Sequence, residues 1–222
     1  MPVILKDHGL AYFGIPKIAS SSMKRVLFAL ECGEPFEKRT EASAHKPKAL
    51  HEIYPSRPLA RGDFKACADL WNFAVVRDPV DRILSAYGHR VVGLRDLEKR
   101  DTAKRKARLL RISLRPDLEE FCLKLDRYRL MSGLIRHHVD AQTRFLGRDP
   151  ARLDAIFPIE KMADLTQALS ERTGQQITMP TNSGTGPRFS RSELSPKATR
   201  VILRKFAADY RFLNGIYTPP TT

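Results

Sequence analysis

Two short stretches of the chain gather residue types that bind anions. In Gly14-Ile-Pro-Lys-Ile-Ala-Ser-Ser-Ser-Met-Lys24, a lysine and three hydroxyls lie between an apolar run and a segment with helical spacing. A helix N-terminus presents unpaired N–H groups and the positive end of the helix dipole, so such a loop suits a phosphate or sulfate group. The order of residues is not GxxxxGK[ST], because Lys17 opens the loop instead of directly preceding the helix, and this argues against an ordinary ATPase. The second stretch is Phe73-Ala-Val-Val-Arg-Asp-Pro-Val-Asp-Arg-Ile-Leu-Ser-Ala-Tyr87, in which Arg77, Arg82 and Ser85 can converge on a second phosphate. Guanidinium groups offer planar paired donors to such an anion. Arg82 and Ser85 are three apart and share a helix face, Pro79 suits a first helical turn, and Asp78 can cap it.

Elements of defined type must hold these residues. Leu10 to Ile15 reads as a buried strand ending at Pro16, and Ser22 to Cys32 as a helix with Val26, Leu27 and Leu30 on one face. Leu70 to Val76 reads as a second buried strand, followed by a helix over Val80 to Val91. Helices are expected over Thr102 to Arg111, Asp117 to Leu134, Val139 to Leu146, Lys161 to Thr173 and Ser195 to Tyr210, with a short strand at Ala155 to Ile159. Gly33 to Asp69, with Pro35, Pro47, Pro55 and Pro58, predicts short elements and an irregular surface. Strands alternating with helices predict an α/β fold of the P-loop type, a three-layer sandwich whose central parallel sheet is flanked by helices and binds ligands beyond its strands' carboxyl ends.

Bulk properties bound the function. A chain of 222 residues with 42% apolar content fits a single domain over 1–222. The net charge of +14 implies a polyanionic partner such as nucleic acid, a sulfated or uronic polysaccharide, or anionic lipid met peripherally at a membrane surface. Nothing resembles an RRM, KH, helix-turn-helix or zinc-finger signature, which disfavours nucleic acid. The basic run from Lys99 to Arg115 is read as an exposed helix that steers an acidic acceptor. Three widely spaced cysteines without a CxxC pair indicate neither a disulfide framework nor a zinc site. The short apolar run behind Met1 is no signal peptide and no later segment reaches spanning length, so the expectation is a cytoplasmic, bacterial protein.

In this order, the PKxxSSS loop and the RDPxxRxxSxY element resemble the sulfotransferase superfamily, whose members use 3′-phosphoadenosine 5′-phosphosulfate. His138-Val-Asp-Ala-Gln142, Phe157-Pro-Ile-Glu160, Thr181-Asn-Ser183 and Asp209-Tyr210 make the chain most similar to the carbohydrate (family 2) sulfotransferases, which often carry HxxPQ where Ala141 precedes Gln142 here. The resemblance implies that Pro16, Lys17, Ala19, Ser20, Ser21 and Ser22 hold the 5′-phosphosulfate and that Arg77 and Ser85, with Arg82 beside them, hold the 3′-phosphate. Gln142, Glu160 and Asn182 are the candidates for contacting the acceptor.

Sulfonate transfer requires in-line attack by an acceptor hydroxyl on sulfur, a base for its proton, and a cation near the leaving phosphate. No metal is required. Lys17 is the candidate for the leaving group, having reach and three donors. For the base, His51 and His138 stand equal, with Glu52, Glu160 or another carboxylate as alternatives. The competing reading is a P-loop nucleotide or small-molecule kinase, which would need magnesium ligands and a Walker B aspartate after an apolar strand, for which the sequence offers only Asp78 in the arginine element.

Overall fold

In the computed structural model, the apolar runs that alternate with polar loops become strands of one sheet, and amphipathic segments become helices around them. The structure describes residues 2–36, 49–99, 103–180 and 186–221. In chain order the elements are β1 (Val3–Leu5), β2 (Leu10–Tyr12), α1 (Ser20–Cys32), α2 (Leu50–Ile53), β3 (Trp71–Val76), α3 (Pro79–Ala86), α4 (Ala103–Leu110), α5 (Leu118–Leu123), α6 (Leu125–Met131), α7 (Gly133–Val139), α8 (Thr143–Leu146), β4 (Ala155–Pro158), α9 (Met162–Thr173), α10 (Pro196–Lys205) and α11 (Ala207–Phe212). The protein is α/β, with a mostly parallel four-stranded sheet, as the alternation of elements predicts.

The chain divides into two compact units. The first, residues 1–76 and 144–182, contains the whole sheet, in the order β1-β2-β3-β4. β2 pairs in parallel with β3 (Tyr12 opposite Phe73) and β3 with β4 (Val76 opposite Pro158), while β1 runs antiparallel to β2 through the turn at Gly9. This edge strand is not foreseen in the sequence, because three residues give no period to read. Phe73 to Val76 are completely buried, which fits a central strand covered on both faces. Trp71 at its start stacks on Phe73, with the Arg172 guanidinium 4.2 Å from its ring centre. Because β2, β3 and β4 are parallel, the loop after β2, the end of β3 at Val76 and the turn after β4 all leave from one edge of the sheet.

The second unit, residues 77–143 and 183–222, is helical and has its own core around Ile83, Phe121, Tyr128, Ile135, Ile202 and Phe206. The helix expected over Val80 to Val91 is present, but after Ala86 it widens into a π-helix over Tyr87–Gly93. Gly88 lies in that widened stretch, and a Cβ there would come within 2.1 Å of the Pro187 carbonyl oxygen, so only glycine permits the approach. The single helix expected over Asp117 to Leu134 is three, broken at Lys124 and at Ser132, whose hydroxyl caps α7. The helix expected over Val139 to Leu146 is interrupted at Asp140 to Gln142, where the backbone is held by a distant carboxylate described below. The helix expected over Ser195 to Tyr210 is two, divided at Phe206. α4 buries only Ala103 and Ala107 and presents Lys104, Arg105 and Arg108 to solvent, as a basic exposed helix should. Among the described residues no helix is long and apolar enough to cross a membrane.

Candidate active site

The first unit carries the lysine and serine loop. Ile15 and Ile18 are fully buried and pin the loop to the core, while Lys17 and Ala19 take left-handed backbone conformations with φ of 70° and 46°. Each such non-glycine residue costs on the order of 1–2 kcal/mol, a strain that loops retain where they clamp a ligand. Gly14 makes the turn possible, since a Cβ there would stand 3.0 Å from the Tyr12 ring. Pro16 is buried, and Ala19 is the N-cap residue of α1. Ala19 offers no side-chain cap to α1 and no acid lies in its first turn, so the positive end of the helix dipole is directed at the loop. Ser20 and Ser22 are buried, and the Ser22 hydroxyl donates to the Pro180 carbonyl at 3.1 Å.

His51, from α2, comes to this loop. Its Nε2 lies 3.4 Å from the Ser21 hydroxyl and its Nδ1 lies 3.3 Å from the Nζ of Lys24. Lys24 is 1% exposed, and its ammonium also donates to Ser56 at 2.8 Å. Burial pushes the Lys24 pKa down to about 8, and desolvation with the neighbouring Lys24 charge lowers that of His51. Glu52, beside His51, closes the first turn of α2 by accepting from the Ala49 N–H. Glu160 is exposed, directly after β4 at the sheet edge from which the loop also leaves.

The second unit carries the arginine element, and here Asp78, Asp81 and Arg82 sit in a polar lattice. Asp78 caps α3 through the Val80 N–H at 2.8 Å and also receives the Tyr210 hydroxyl and the Arg191 guanidinium. Arg191 forms a two-point pair with Asp81 at 2.7 and 2.8 Å. Arg82 is buried and donates to the Asp140 carbonyl; desolvation lowers its pKa to about 10, against the opposing fields of Asp209 and Asp140. Gln142 is fully buried, its side-chain amide donating to the Arg77 carbonyl at 2.6 Å and accepting from the Arg77 N–H at 3.2 Å. Asp209 in turn accepts from the Gln142 N–H and from the Thr143 N–H and hydroxyl. This carboxylate is what stops the helix expected across Gln142. Ser85 is half-buried on α3. His138 ends α7 with Nδ1 2.8 Å from the Leu134 carbonyl of its own helix. Asn182 lies outside the described residues.

Within the first unit, then, the structure brings together the Lys17 to Ser22 loop and His51; within the second it joins Arg77, Gln142 and Asp209, with Arg82 on Asp140. Lys24, Ser56, Asp140 and Arg191 were not picked out by sequence reasoning, and Asp209 was noted only as part of the family resemblance. One signal existed for Lys24: it shares the apolar face of α1 with Leu27 and stands four residues after Ser20, a place where a charge is out of pattern. Among the described residues no group of three or more His, Cys, Asp or Glu side chains could hold a metal ion.

Comparison with known proteins supplies the family. No curated protein and no solved structure matches the chain. The model of the sulfotransferase family matches residues 2–217, nearly the whole sequence and both units. The chain belongs to the sulfotransferase family (family 2) and is a sulfotransferase enzyme.

Proposed function

We propose that the protein moves a sulfonate group from 3′-phosphoadenosine 5′-phosphosulfate to a hydroxyl of an anionic or carbohydrate acceptor, with residues 2–217 acting as one sulfotransferase domain. The observation that carries this reading is the strained, uncapped start of α1 with Lys17 in the loop and His51 beside Ser21. The N–H groups of Ser20 to Ser22 bind the 5′-phosphosulfate, and the Lys17 ammonium stabilises charge on the leaving phosphate. Arg77, its peptide gripped by Gln142, binds the 3′-phosphate with Ser85. Arg82 orders the same element through Asp140.

Of the two histidines, His51 is the better base. Its lowered pKa leaves it neutral at physiological pH, and its ring faces the loop, whereas His138 is bonded to its own helix. His51 takes the proton of the acceptor hydroxyl as that oxygen attacks sulfur. The net charge of +14 and the exposed cations of α4 favour an acidic acceptor such as a uronic or sulfated glycan over a neutral one.

Calorimetric titration with adenosine 3′,5′-bisphosphate, ATP and AMP, without magnesium, tests the donor site independently of any acceptor. Selective binding of the bisphosphate, lost in Lys17→Ala and Arg77→Ala, is the expected result. A preference for magnesium ATP would replace this reading with that of a kinase.

A further inference from the structure

Lys24 stands out among the cations of the first unit. It is almost completely buried, yet its hydrogen-bond partners are an imidazole and a serine hydroxyl, His51 and Ser56, and among the described residues no carboxylate contributes to its electrostatic environment. An ammonium enclosed in this way loses hydration without a counter-charge, so the neutral amine becomes accessible near physiological pH, with a pKa of about 8. Among the described residues the groups around the pair are few. From α1 come Lys24 itself and Ser21; from α2 comes His51, with Glu52 held in its own capping turn; Ser56 follows, and Tyr54 is engaged by Glu31. Lys24 is the one charge that acts on His51 among the described residues.

The protonation state of Lys24 decides which nitrogen of His51 is basic. As an ammonium, Lys24 donates to Nδ1, so a neutral His51 carries its proton on Nε2 and can only donate toward Ser21 and the loop. As an amine, Lys24 accepts from Nδ1–H, and Nε2 presents its lone pair on the loop side. We propose that Lys24 is the positioning residue for the base, a proton partner that in its neutral form holds His51 as the Nδ1–H tautomer with Nε2 ready to accept. This rests on the reading of His51 as the base given above. During transfer the acceptor O–H bond breaks and its proton bonds to Nε2, while the Nδ1 proton passes to the Lys24 amine. The oxygen's electrons form the new S–O bond and the old S–O pair leaves on the phosphate. The cycle ends with a neutral imidazole and a lysine ammonium. Lys24 returns its proton to Nδ1 as Nε2 releases one to water, which the exposure of His51 allows.

The test needs no acceptor. Protein labelled with nitrogen-15 at histidine is titrated by NMR from about pH 6.5 to about pH 9.5, a window bracketing the Lys24 pKa, with His51→Asn to assign the ring. In the native protein the protonated nitrogen of His51 is expected to change from Nε2 to Nδ1 with a midpoint near 8. In Lys24→Met the interchange should vanish from that window. In Lys24→Arg the guanidinium never loses its proton, so Nδ1 should remain an acceptor throughout. An unchanging His51 in the native protein, or an interchange that survives in either variant, overturns the proposal, and native protein with Lys24→Arg decides the matter should Lys24→Met fail to fold. Titrating the same samples with adenosine 3′,5′-bisphosphate separates the two levels. Native protein that shows the interchange but ignores the bisphosphate keeps the Lys24–His51 couple and loses the donor site; native protein that binds the bisphosphate without the interchange does the reverse.

Discussion

Lys24 and Arg82 are both about 1% exposed, both lie on the helix that follows a strand of the sheet, and they are held in opposite ways. Arg82 donates to the Asp140 carbonyl within the fields of Asp140 and Asp209, and even with its pKa lowered to about 10 it stays a cation at neutral pH. Among the described residues Lys24 meets His51 and Ser56 alone, and burial pushes its pKa down to about 8. A buried cation amid carbonyls and carboxylates is scaffold, fixed because removing it would strand its partners; a buried cation amid neutral groups is free to change its charge. The same contrast runs through the two units. The strained loop of the first leaves its helix N-terminus uncapped, whereas in the second Asp78, Asp81, Asp140 and Asp209 are each matched by donors.

The largest effect that would sharpen this contrast is on stability. Arg82→Met should destabilise by about 3–5 kcal/mol, because the buried Asp209 carboxylate loses the field of this cation and the Asp140 carbonyl loses its donor, while the Asp140 carboxylate keeps Arg129. Denaturant melts in urea measure it, and a change below about 1 kcal/mol would remove Arg82 from the scaffold role.

Next in size is donor affinity. Arg77→Ala should weaken binding of adenosine 3′,5′-bisphosphate by roughly 10- to 100-fold, the equivalent of losing one charge-assisted contact. Gln142→Leu, which leaves both polar groups of the Arg77 peptide without the amide, should weaken it by a smaller factor, about 3- to 10-fold. Equal affinity in both variants would break the link between the arginine element and the donor.

Lys24→Met should move stability the other way from Arg82→Met, raising it by on the order of 1–2 kcal/mol at pH 7, since the variant no longer buries an ammonium. The difference shrinks with alkali. The native Lys24 pKa is below its ordinary 10.5, so the native state binds fewer protons than the unfolded chain between about 8 and 10.5, and native stability climbs through that window. The advantage of Lys24→Met is therefore full below pH 8 and fades above it, as paired melts at two pH values would show. The smallest expected change is at Leu109, which is 81% exposed on α4: Leu109→Ser should alter stability by less than about 0.5 kcal/mol.

Much of the first unit was legible because its signals are local. The apolar run before Pro16 and the serines before Val26 and Leu27 place the loop between strand and helix within some fifteen residues, and β2 and α1 appear there, the helix starting at Ser20 instead of Ser22. The second strand, β4 and α9 follow from the same kind of pattern. The helix breaks of the second unit were not legible. Val139 to Leu146 has acceptable helical periodicity, but the gain from two N–H groups and a hydroxyl meeting the Asp209 carboxylate exceeds the weak propensity of three residues to stay helical. The π-helix at Tyr87–Gly93 was equally hidden, since the close approach of Pro187 to Gly88 comes from a segment about a hundred residues on.

The amino-acid sequence by itself determined the residue types of both anion-binding stretches, their attachment to strands and helix starts, and the family they belong to, because each of those features is written within one or two turns of chain. Only the tertiary structure decided that His51 meets Ser21, what that histidine leans on, and which carboxylate holds the Gln142 segment. Lys24 finds His51 across 27 positions and Asp209 finds Gln142 across 67. Pairings at such separations are fixed by how the buried faces of whole elements fit together, and no local pattern of residues records them.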